Sequence, residues 1–193
     1  MVQARDVQTQ AIYCLRGKPL NVFGLRRDTV YKNEELYNVM RALGIEDGLE
    51  GLRYNRVVIA TDADVDGMHI RNLLLTYFLQ YFEELVLKGH VYILETPLFR
   101  VRNPKRTVYC YSEAERTAAL KELGRGAEVT RFKGLGEISP GEFKHFIGPA
   151  MRLTPVRVEN RHSVPQILSF YMGRNTPQRR QYIMDSLIVE AEA

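Results

Sequence analysis

With 193 residues, 45% of them hydrophobic and 26% charged, the chain is long enough for one good-sized core or two small ones, and its composition excludes a disordered segment. A formal net charge of +4 and a pI near 9.1 suit a polyanionic partner without requiring one. Met1 to Asp6 lacks the apolar core of a signal peptide, and Leu73 to Leu87, broken by Thr76, Gln80, Glu83 and Glu84, is too short and too polar to span a bilayer; a soluble cytoplasmic protein with no membrane partner is expected.

In chain order, Ala11 to Leu15 reads as a strand that delivers the basic turn Arg16-Gly17-Lys18-Pro19-Leu20-Asn21 to the surface. Glycine lets a backbone approach and the Lys and Asn side chains supply donors, so the turn suits a phosphate; on residue type alone an ordinary solvated turn fits as well. Asn33 is a good N-cap for a helix to about Leu43, which Gly44 stops, and Glu46 to Tyr54 reads as a loop. Cys14 and Cys110, the only cysteines, each sit in an apolar strand-like run and not in a CxxC or Cys/His cluster, which predicts two buried thiols in a reducing compartment.

The run Arg56-Val57-Val58-Ile59-Ala60-Thr61 is β-branched at its centre and reads as a strand buried on both faces of a parallel sheet. It leads into Asp62-Ala63-Asp64-Val65-Asp66-Gly67, beyond the carboxyl end of the strand, where ligands of open α/β sheets bind. If the segment stays extended, its three carboxylates point the same way, and such neighbours repel unless a cation sits between them. Carboxylate oxygens suit Mg²⁺, which keeps waters and shares its remaining positions with phosphate oxygens, so a phosphate or phosphodiester is the implied substrate. An EF-hand loop starts the same way, but it needs Glu at its twelfth position, here Leu73, and a helix before it. The other alternative is that one Asp, foremost Asp66, only caps a helix beginning near Gly67.

That helix is predicted to run to about Lys88, ended by Gly89, with apolar residues around most of its circumference. Its first turn puts His69 and Arg71 beside the carboxylates, where His69 fits either a phosphate contact or a polar pocket. Val91 to Leu94 closes a βαβ unit, and Leu98 to Arg102 with Thr107 to Tyr111 reads as a hairpin with a basic tip. Ser112 with Glu115 is a capping box for a helix to about Leu123. A short strand, Val129 to Phe132, precedes the basic glycine-bearing loop Lys133-Gly134-Leu135-Gly136-Glu137, a weak signal by itself. Ser139-Pro140-Gly141-Glu142 starts a further helix. After Pro149 the composition shifts, and Met151 to Glu159 with helices from about Ser163 and Thr176 reads as a tail. Arg179 and Arg180 oppose the dipole in the first turn of the last helix, which fits an anion partner or a solvated face.

Leu15 to Asn21, Ile59 to Arg71 and Arg131 to Glu137, in this order, resemble the topoisomerase-primase (Toprim) part of bacterial type IIA topoisomerase B subunits, those of DNA gyrase and topoisomerase IV, over about Ala4 to Glu190. The resemblance implies an α/β fold, a Toprim-type parallel sheet flanked by helices over residues 1–148, with a small α+β C-terminal tail over 149–193. It implies the metal-bearing part of an ATP-driven isomerase, an A₂B₂ heterotetramer of B and topoisomerase A subunits that cuts double-stranded DNA and passes a second duplex through. On it, Asp62 and Asp64 bind Mg²⁺, for which Mn²⁺ can substitute, and Asp66 assists or caps. Lys18, Asn21, His69, Arg16, Lys133, Arg179 and Arg180 face DNA, Arg131 lies near the site, and Glu137 partners a nearby cation. The attacking tyrosine belongs to the A subunit, none of the 11 tyrosines here being a candidate, and ATP binds elsewhere in the full-length protein and not to this chain.

Two departures stand out. The family's Toprim unit opens with a strand ending in Glu-Gly-Asp-Ser-Ala, whose Glu completes the metal site and serves as general acid/base. No such stretch occurs here. The expectation is therefore a chain that starts after that strand, with an incomplete carboxylate set, an apolar groove or unpaired sheet edge, and neither cleavage nor ATPase activity alone. Arg174 stands where the family usually has Asp, and the Arg16 to Asn21 turn, with no large Toprim insertion, looks closer to topoisomerase IV. The alternative of another class is a DNA-docking and subunit-interaction module without chemistry. A different Toprim enzyme, a primase or nuclease, is disfavoured by Lys18 to Asn21, Lys133 to Glu137 and the Thr176-Pro177 tail together.

Overall fold

The computed structural model describes residues 1–187; the expected ends of the tail at 193 and of the resemblance at Glu190 lie outside them. A 3₁₀ turn (Val2–Ala4) and an irregular stretch precede α1 (Arg27–Tyr31), α2 (Glu34–Leu43), β1 (Val57–Ile59), α3 (Val65–Tyr81), α4 (Glu83–Leu87) and β2 (Val91–Leu94). Then come β3 (Phe99–Arg102), β4 (Thr107–Cys110), α5 (Glu113–Leu123), β5 (Glu128–Arg131), α6 (Pro140–Ile147), β6 (Leu153–Pro155), α7 (Val164–Met172) and α8 (Thr176–Asp185). None of the described helices is long and apolar enough to cross a membrane.

The first sheet has the order β1-β2-β6. β1 and β2 are parallel, with Val57 opposite Val91 and Ile59 opposite Ile93, and α3 with α4 makes the crossover that a parallel pair requires. Side chains of β1 alternate between two cores, as a period of two dictates. Ile59 and Val57 pack with Leu36, Met40, Tyr77 and Phe78 under α2 and α3, while Val58 and Ala60 meet Phe132, Phe143 and Phe146 around α6. The second sheet, order β4-β3-β5, is antiparallel throughout and buries Phe99, Val101 and Cys110 against Ala119 of α5.

The helix starts follow their local chemistry. Asn33 accepts from the Leu36 amide at 3.1 Å, Ser112 from that of Glu115 at 3.1 Å, and Ser139 with Glu142 forms both halves of a capping box.

Four expectations are corrected. Ala11 to Leu15 is irregular, because a strand needs a neighbour to take its backbone groups and none is paired with it; Cys14 is consequently exposed, and only Cys110 is buried. β1 is three residues long and, among the described residues, an edge strand, so although each of its faces meets a core only Ile59 is fully buried and Val57 and Val58 stay half-buried. The long helix breaks at Phe82 (φ −138°, ψ 42°), where Arg27 takes the Tyr81 carbonyl at 3.1 Å and lies 5.5 Å from the Phe82 ring centroid. It begins at Val65, and its N-cap is Asp64 in place of Asp66. In addition, β5 joins the hairpin through β3, and β6, beyond Pro149, pairs antiparallel with β2 and ties the tail to the first sheet.

Candidate metal centre and nucleic-acid interface

The chain leaves β1 through buried Thr61 and turns at Asp62 straight onto the start of α3. Asp64 Oδ1 accepts the Gly67 amide at 2.7 Å, which ends the extended segment two residues earlier than an alternating Asp pattern needs. Gly67 lies so close beneath Asp62 that a Cβ there would stand 2.0 Å from the Asp62 carbonyl oxygen. A side chain at Gly67 is thus excluded by backbone, which is the physical reason for glycine after the three acids.

The Asp62 side chain is held from across the molecule. Its Oδ1 accepts the Leu135 amide at 2.7 Å, and a Cβ on Gly134 would lie 3.2 Å from its carboxylate. Lys133 and Gly134 share a water-sized crevice with Ala63 of the carboxylate loop. The Lys133 amide donates to Glu137 at 2.9 Å, so Glu137 braces its own loop's backbone instead of partnering a cation. Arg71, nearly two helical turns into α3, reaches Thr61 Oγ1 at 3.5 Å while its buried Nε has no partner among the described residues.

The three acids do not converge: among the described residues no group of three His, Cys, Asp or Glu side chains is placed to hold a metal. Asp66 points instead to Lys18, whose Nζ is 2.6 Å from its Oδ1. The Lys18 ammonium holds the Asp66 carboxyl below the usual carboxylate range, with a smaller contribution from His69. Asp62 and Asp64 each commit one oxygen to a backbone amide and keep Oδ2 without a hydrogen-bond partner among the described residues. Two free carboxylate oxygens are the donor type that suits a hard divalent cation whose other positions are taken by water.

Beside this loop is a cleft of about 440 Å³, lined by Asn21, His69, Asn72, Tyr171 to Arg174, Thr176 and Arg179. Asn21 closes it at one side by donating to the Met172 carbonyl at 2.9 Å, and Arg179 folds onto the Tyr171 carbonyl. Asp66 and His69, three residues apart in α3, share a helix face, so the cleft continues from the carboxylate loop. The structure thus groups Lys18 and Lys133 around the acids, and Asn21, His69 and Arg179 in the cleft. It brings Arg16, whose amide is taken by Glu35 at 2.6 Å, and exposed Arg180 into neither group. Sequence reasoning missed the Leu135 amide, which nothing local signals, and Asn72, which the i,i+3 spacing from His69 would have put on the same face.

The Toprim domain model matches residues 1–96, and the model for the carboxyl terminus of the DNA gyrase B subunit matches residues 124–184. The DNA topoisomerase 4 B subunit of Borreliella burgdorferi is 64% identical over 97% of this chain and 32% of its own length; the DNA gyrase B subunit of Thermus thermophilus is 42% identical over 94% and 30%. The chain belongs to the type IIA topoisomerase B subunits. It spans about a third of the length of these curated relatives, 32% and 30%. The fold matches a crystal structure of the DNA-binding, cleavage and re-ligation domain of Plasmodium falciparum topoisomerase II, with a TM-score of 0.74 at 23% identity over 90% of this chain and 25% of that one. Toprim domains of topoisomerases bind metal, and the carboxylate loop described above lies within the matched Toprim residues.

Proposed function

We propose that this chain is the part of an ATP-dependent type IIA topoisomerase that holds Mg²⁺ at the scissile phosphate of double-stranded DNA, while a tyrosine of the A subunit attacks. One observation carries the reading: Asp62 and Asp64, at the carboxyl end of β1, are each fixed by a backbone amide on one oxygen and keep the other free. When bound, Mg²⁺ stabilises negative charge on the phosphate and on the leaving oxygen. Asp62 and Asp64 are the ligands in this reading, and Mn²⁺ can replace Mg²⁺. Asp66 acts through Lys18, as its counter-ion, in place of direct ligation.

Asn21, His69 and Arg179 take the DNA backbone along the cleft, Lys18 and Lys133 reach it beside the metal, and Arg16 and Arg180 contact it outside these two groups. We take residues 1–148 as the Toprim domain and 149 onward as the tail, docked through β6. The greater identity to the topoisomerase 4 relative, 64% against 42%, favours a topoisomerase IV B subunit in an A₂B₂ enzyme acting on cytoplasmic DNA.

The test is supercoil relaxation by the full-length protein assembled with its A partner. Asp62→Asn and Asp64→Asn are each expected to abolish relaxation while DNA binding persists. Relaxation that survives both substitutions would leave a docking module that does no chemistry.

A further inference from the structure

Arg100, in the middle of β3, touches both ends of the segment that presents the Leu135 amide to Asp62. Its guanidinium lies 5.8 Å from the ring centroid of Phe132, where the segment begins. Its Nη1 donates to Glu142 Oε1 at 2.6 Å, in the first turn of α6, where the segment ends. Glu142 is the hub of that second anchor. Its Oε2 accepts from Ser139 Oγ at 2.8 Å and from the Ser139 amide at 3.2 Å, and its Oε1 also accepts from Tyr109 at 3.1 Å.

The Arg100 and Glu142 side chains are only 21% and 18% exposed, which sets this pair apart from the solvated ion pairs elsewhere on the surface. Between the anchors the segment is stiff. The Lys133 amide is tied to Glu137, and Ile138 is buried. A shift of either anchor therefore moves the Leu135 amide as a body with the loop.

We propose that Arg100 and Glu142 are positioning residues for metal-dependent strand cleavage. Their ion pair seats the segment from Lys133 to Ser139 on the second sheet and thereby orients the Asp62 carboxylate through the Leu135 amide. The inference rests on the metal role of Asp62 given above. Groups that orient a ligand without touching the metal change its affinity, because a ligand left free to rotate must be ordered when the ion binds.

The experiment pairs a Mg²⁺ titration of plasmid cleavage by the full-length protein assembled with its A partner with direct Mn²⁺ binding to the same assembly, read from the electron paramagnetic resonance of free Mn²⁺, whose midpoint should move with that of Mg²⁺. Glu142→Gln keeps an acceptor for the Ser139 cap but cannot form the ion pair with Arg100, and Arg100→Met removes the same pair from the other side. Each is expected to raise the Mg²⁺ midpoint roughly 3- to 10-fold, with the plateau at saturating Mg²⁺ retained. The double variant should shift no further than either single one. Tyr109→Phe, which removes one bond onto Glu142 and preserves the fold more gently, should move the midpoint in the same direction by about 2-fold.

A purely structural pair would lower the plateau and leave the midpoint in place. An unmoved midpoint in all three variants, with Asp62→Ala inactive, overturns the inference alone. Cleavage that survives Asp62→Ala overturns the metal reading and this inference with it.

Discussion

Substituting Gly67 separates the packing of the carboxylate loop from the chemistry of its side chains. In Gly67→Ala the added Cβ lies 2.0 Å from the Asp62 carbonyl oxygen, 2.7 Å from its carbonyl carbon and 2.9 Å from its nitrogen. All three are backbone atoms, so no side-chain rotation relieves the overlap. Gly67 is within α3, where helix propensity alone favours Ala over Gly by about 1 kcal/mol. Overpacking costs about 1–3 kcal/mol, and a backbone overlap this deep belongs at the upper end. The two terms have opposite signs, and the clash wins by about 2 kcal/mol. In urea denaturation of the chain, with a slope of about 2 kcal/mol per M, the midpoint should fall by about 1 M.

Two other glycines serve as controls. Gly134→Ala meets only the Asp62 carboxylate, at 3.2 Å, which can swing away; stability should change by less than about 0.5 kcal/mol while Mg²⁺-dependent cleavage by the assembled enzyme falls. Gly136→Ala meets nothing within 4 Å and should change neither. A Gly67→Ala midpoint at or above that of the unsubstituted chain would refute the close approach of Asp62 to α3.

Burial pushes the Glu142 carboxyl up, but its bonds from Ser139, Arg100 and Tyr109 outweigh that and hold it at about 2, against an ordinary value of 4.5. Because the folded value is the lower one, the stabilisation is complete above about pH 4.5 and is lost as pH falls toward 2, on the order of 3 kcal/mol in all. Acid titration of urea midpoints should show this slope, and Glu142→Gln should flatten it. Tyr77 is buried and donates to the Leu36 carbonyl at 2.8 Å, so Tyr77→Phe should cost about 1 kcal/mol in the same denaturation assay. If Lys18 and Arg179 meet DNA phosphates, Lys18→Ala and Arg179→Ala should each reduce the salt dependence of duplex binding by about 0.9 in log–log slope, measured by fluorescence anisotropy. An unchanged slope removes that residue from the interface.

What was legible in the sequence is what short-range chemistry decides. Asn33, Ser112 and the Ser139 to Glu142 box each satisfy a helix start within three or four residues, and the structure has them there. The β-branched run into Asp62 placed β1, the carboxylate loop and α3 in order, because a strand followed by acids and a glycine has few other ways to fold. Local rules put Asp66 foremost as the cap, and the structure uses Asp64. Either can accept an amide, and the choice fell to the packing of Asp62 backbone on Gly67. Such rules also could not find the Leu135 amide, 73 residues from Asp62, or the Arg100 and Glu142 pair, 42 residues apart. Ala11 to Leu15 failed for a related reason: its apolar pattern suits a strand, but strand formation depends on a neighbour that pattern does not report.

Whether Asp62 and Asp64 hold the metal is read without the cleavage reaction by adding Mn²⁺ to the assembled enzyme with a DNA duplex and following free Mn²⁺ by electron paramagnetic resonance. The unsubstituted enzyme should sequester Mn²⁺ competitively with Mg²⁺, and Asp62→Ala and Asp64→Ala should lose this site while Asp66→Ala retains it. Equal sequestration by the Asp62→Ala and Asp64→Ala enzymes would mean that neither carboxylate holds the metal.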